Sequence, residues 1–81
     1  MKRQRVLIES IRYITGNQGS VKIKGKPEEV KAFQNVLNAS KKLYENLQRE
    51  DVRLSDIEKL VADKNRAAKA FRKITGRSWP L

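Results

Sequence analysis

The chain has 81 residues, with 19 Lys and Arg against nine Asp and Glu for a net charge of +10, and it has neither cysteine nor histidine. That composition excludes a disulfide framework, a thiolate zinc site, a thiol nucleophile and the usual near-neutral general base, so neither enzymatic activity nor a cofactor is expected. No apolar run approaches the roughly 18 residues of a membrane span, and no h-region of a signal peptide is present. The expectation is one small cytoplasmic domain over residues 1–81, with no membrane partner.

The charge is unevenly placed. Residues 1–26 carry a net +6, residues 27–60 a net −1 and residues 61–81 a net +5. Two cationic regions on one small body attract polyanions over roughly a Debye length, about 8 Å at physiological salt. The hydrophobic fraction of 38% is low but periodic, which argues for a folded chain. A core of this size contributes only a few kcal/mol of net stability, so binding or association has room to matter.

Residues 5–26 read as a β-hairpin. The run up to Thr15 is rich in Val, Ile and Tyr, Gly16-Asn17-Gln18-Gly19 is turn chemistry, and residues 20–25 alternate again. A three-residue loop Asn17-Gln18-Gly19 sets Tyr13 opposite Ile23 on one apolar face. It sets Arg12, Lys22, Lys24 and Lys26 together on the other face as a basic ladder. Alternation fails at Val6-Leu7-Ile8, where the first strand is expected to be bulged or preceded by another short element.

Pro27 and the acids Glu28 and Glu29 open a helix expected over 27–48, with Val30, Phe33, Val36, Leu37, Leu43, Tyr44 and Leu47 on its apolar stripe. A second helix is expected over 55–75. Ser55 and Glu58 have capping-box spacing, Ile57 to Ile74 supply the inner face, and Gly76 is the stop. Residues 76–81 form a tail whose Trp79 is expected to fold back on the core. The fold expectation is therefore α+β: a small ββαα domain, with the hairpin packed on two antiparallel helices.

The second candidate surface lies on the last helix. Arg66, Lys69, Lys73 and Arg77 recur at three- and four-residue steps, with Asn65 and Arg72 beside them as hydrogen-bonding groups for phosphates or bases. The acids Asp51, Asp56 and Glu58 match no Mg²⁺-loop spacing and read as helix-start and linker residues. Ser40 and Lys64 interrupt their apolar stripes and are expected to face each other as a polar layer rather than a nucleophile pair.

The run from Val21 to Val30 resembles the last strand and following helix of KH nucleic-acid-binding domains. In that family a GxxG loop joins two helices, whereas here Gly16 to Gly19 leads into a strand and reads as a hairpin turn. The functional expectation is a nucleic-acid-binding protein that holds phosphates through the ladder and the basic helix. DNA is favoured over RNA because exposed paired aromatics are missing. The rival expectation is an adaptor or inhibitor docking an acidic protein partner, a composition like that of small phage-encoded accessory proteins.

Overall fold

In the computed structural model, residues 2–81 are described, with side chains from Arg5 onward. Three helices make up the ordered elements: α1 (Lys2–Ile14), α2 (Pro27–Leu47) and α3 (Leu54–Thr75). No strand occurs among the described residues. The fold is thus all-α, which corrects the α+β expectation, and the β-hairpin over 5–26 does not form.

The physical reason lies in α1. Val6, Ser10, Tyr13 and Ile14 are spaced at three and four residues, so a helix puts them on one face against α2. The failed alternation at Val6-Leu7-Ile8 was the sign of this period. A helix satisfies its own backbone, whereas an isolated two-stranded ribbon is marginal in water. Gly16, at φ +86°, ends α1 in the left-handed conformation. The Asn17 amide donates to the Arg12 carbonyl at 2.8 Å and the Gly16 amide to the Tyr13 carbonyl at 3.2 Å, which are the two bonds of a Schellman motif. The same Gly that suggested a hairpin turn is a helix stop.

Residues 17–26 follow as a segment outside helix and strand, bent at Asn17, Gly19 and Gly25. Its side chains still alternate: Val21 is buried and Ile23 half-buried against the core, while Lys22, Lys24 and Lys26 are exposed. Lys26 then precedes Pro27 in extended conformation, and Glu28 and Glu29 occupy the first turn of α2. At the start of α3 the expected Ser55–Glu58 capping box is not made. The helix begins one residue earlier, at Leu54, behind an extended Arg53 whose side chain forms no cap. Gly76, at φ +75°, ends α3, with its amide on the Arg72 carbonyl at 2.8 Å.

The short link between α2 and α3 folds them back on each other as an antiparallel pair, bringing Phe33 near the start of α2 against Phe71 near the end of α3. α1 packs on the other flank of α2, and among the described residues no backbone of α1 comes close to that of α3. The result is a flat layer, 38 × 26 × 17 Å, with α2 in the middle. Val21, Ala32, Phe33, Val36 and Leu37 are the buried apolar side chains, and all lie toward the start of α2. Trp79 returns from the tail and meets both Phe33 and Phe71 edge-on, at centroid separations of 5.7 and 5.5 Å. Its indole N–H donates to Ser40 Oγ at 3.1 Å. Among the described residues no helix is long and apolar enough to cross a membrane.

Candidate functional site

α3 carries the most ordered group of cations. At 100° per residue, Lys59, Arg66, Lys69 and Lys73 project from one side of the helix, opposite the face that holds Leu60, Lys64, Ala67 and Phe71 against the layer. All four cations are exposed, Ser55 and Ala62 share that side, and Glu58 and Asp63 border it. Arg66 lies 3.8 Å from Asp63 one turn earlier, with both side chains mostly exposed. Such a surface pair is weak and leaves the guanidinium available to a stronger anion. Asn65 and Arg72 are exposed on an adjoining side, and Arg77 is exposed just beyond Gly76.

The hairpin ladder is not assembled. Arg12 belongs to α1, while Lys22, Lys24 and Lys26 lie on the segment between α1 and α2, so Arg12 is no cross-strand neighbour of Lys24. The helical pairing instead gathers a different set. Lys26 abuts the start of α2, and Arg72, Lys73 and Arg77 follow the last turns of α3, so antiparallel packing places them at the same end of the layer. Lys22 and Lys24 flank Ile23, which packs on the core at that end. The preference for DNA over RNA, drawn from the lack of paired exposed aromatics, finds no support in this fold. Lys59, one heptad before Arg66, is a member that the sequence reading missed; the seven-residue step was its signal.

Lys41, a cation outside the predicted surfaces, is structural. Its ammonium donates to the Tyr13 carbonyl at 2.8 Å, sits 4.7 Å above the Tyr13 ring centroid and lies 3.6 Å from Glu45 Oε1. A cation on the last carbonyls of α1 also complements that helix's dipole. The Tyr13 hydroxyl donates to Asn38 Oδ1, so two contacts tie the end of α1 to α2.

Ser40 and Lys64 border one feature, an open groove of about 310 Å³ between α1 and α3 with α2 as its floor. Ile11, Ile14, Leu43, Tyr44 and Leu47 line it, and Thr15 and Leu81 complete its edge. Ser40 is committed elsewhere: its hydroxyl donates to the Val36 carbonyl at 2.8 Å and accepts from Trp79. Lys64 is half-buried and, among the described residues, is the one Lys or Arg side chain lining the groove, where no Asp or Glu side chain lies. The described residues hold no cluster of three carboxylates able to bind a metal ion, and Asp51 pairs with Arg49 at 3.3 Å.

The fold and these surfaces define a class: a flat, basic three-helix protein with a cationic outer helix and an apolar groove. No family model, curated protein or solved structure matches the chain.

Proposed function

We propose that the protein binds the phosphate backbone of nucleic acid, without base specificity, along the outer side of α3. The observation that carries this reading is the exposed row of Lys59, Arg66, Lys69 and Lys73, in which Asp63, paired with Arg66, is the acid beside the row. Like charges held on a rigid helix repel one another, and a phosphate chain relieves that repulsion while releasing its counterions. Lys22, Lys24 and Lys26 with Arg72 and Arg77 extend the positive field around the end of the layer.

The test is a salt series of binding to random duplex and single-stranded oligonucleotides. Replacing Arg66, Lys69 and Lys73 together by Glu should weaken binding and flatten the log–log salt slope by about 0.9 per lost contact on duplex DNA, or about 0.7 on single strands. The same change at Lys22, Lys24 and Lys26 should have a smaller effect, because those lysines lie outside the α3 row. Absence of binding at low salt would end the reading. Full loss from the lysine-segment variant alone would move the site there.

A further inference from the structure

The groove between α1 and α3 has the makings of a docking site independent of the cationic row. Its apolar lining comes from α1 and α2, and α3 contributes Lys64. Two of the groove's apolar walls, Ile11 and Leu47, are 44% and 55% exposed. Apolar side chains left in water hold part of the hydrophobic driving force, about 25 cal/mol per Å², unused until something covers them.

Lys64 decides what can cover it. Any occupant that excludes water from the groove also desolvates this ammonium, and a buried unpaired charge is costly. Among the described residues no Asp or Glu side chain lines the groove, so an occupant that brings a carboxylate offsets this cost. A second copy seated face to face would bring another Lys64 and another chain of +10 charge. A segment with apolar anchors and flanking acids offers both things the groove lacks. We infer that this groove binds an acidic amphipathic helix from a protein partner, its apolar face on Ile11, Ile14, Leu43, Tyr44 and Leu47 and a carboxylate on Lys64.

The probe is a synthetic helical peptide of about 18 residues, ~27 Å long at 1.5 Å per residue against the 38 Å axis of the layer. Leucines stand at i, i+3, i+4 and i+7 with glutamates beside them, and a twin peptide carries lysine in place of glutamate. Binding is followed by backbone amide shifts of the labelled protein at near-physiological salt, where exposed charges beyond about 8 Å are screened. The glutamate peptide should shift amides around Leu43 to Leu47 and Lys64, and Leu47→Asp should weaken it about tenfold or more, with the far-UV CD spectrum unchanged. Lys64→Glu should reverse the preference toward the lysine twin.

Three results would overturn the inference. One is no binding, or shifts confined to the cationic row and insensitive to Leu47→Asp. Another is sedimentation of the protein alone as a dimer that Leu47→Asp dissolves, which assigns the groove to a second copy. The third is an oligonucleotide that shifts the groove amides in place of the α3 outer side. The nucleic-acid reading stands or falls separately, on the α3 triple variant.

Discussion

The two ends of the layer differ in kind. At the end where α2 begins and α3 finishes, Phe33, Phe71 and Trp79 interlock, Val21 and Leu37 are buried, and cations surround the outside. At the other end Leu47 and Leu54 are exposed, and Ile11 and Val61 are only partly covered. There the charges also balance: residues 41–59 hold five Lys or Arg and five Asp or Glu. One end is aromatic-filled and cationic, with Ile74 still 43% exposed; the other is apolar, neutral and open. Stability resides in the first, and the proposed docking groove adjoins the second. A chain of this length cannot fill a core along two six-turn helices, and the tail supplies one tryptophan to only one end.

The difference between the ends can be broken most directly at Phe33. Phe33→Ala removes a ring that is 4% exposed and touches both other aromatics, at a cost of about 3–5 kcal/mol. That equals the whole net stability expected of so small a domain, so the variant should be largely unfolded by far-UV CD at 25 °C. Trp79→Ala should cost about 2–3 kcal/mol, since the indole is half-buried and its loss also removes the Ser40 hydrogen bond. Urea titration measures it. A change below about 0.5 kcal/mol would mean that the tail does not hold the aromatic end.

Smaller effects sharpen the contrast. Gly16→Ala meets no atom within 4 Å but forces alanine to φ +86°, which should cost about 1 kcal/mol through backbone strain alone. Gly19→Ala, in open space without a positive φ, is its silent control. Were the two alike, the Schellman stop of α1 would be irrelevant to stability. At the open end, Leu47→Ala should change stability by less than about 0.5 kcal/mol, because more than half of that side chain is already in water. Lys64→Met should be neutral or slightly stabilising, since it replaces a half-buried ammonium by an apolar chain of similar length. It should also leave oligonucleotide binding intact, because Lys64 lies on the opposite side of α3 from Arg66 and Lys73.

The sequence made α2 and α3 legible, and the reason is local. Pro27 with two acids behind it, long stripes at helical spacing, and Gly76 each favour one local answer. It misled at α1, where Ser10 to Thr15 suits period two as well as period 3.6, and Gly16 suits a hairpin turn as well as a helix stop. Only contacts distant in sequence separate those choices: Tyr13 with Asn38, Lys41 with the Tyr13 carbonyl, and Ser10 buried against the layer. The alternation of Val21 and Ile23 with Lys22, Lys24 and Lys26 was read correctly in burial and wrongly in pairing, because a segment outside any sheet also buries alternate side chains on a helix face.

What the amino-acid order determined by itself was the charge and its division, the two long helices, their apolar faces and the basic row along α3. These depend on composition and on spacings of three to seven residues. The tertiary structure alone decided that α1 is a helix, that the basic ladder does not exist, that Ser40 serves Trp79 and not Lys64, and that a groove stays open beside Lys64. Each of these turns on which distant side chains meet, because the energy separating strand from helix, or filled groove from open one, comes from burial between segments far apart in the chain.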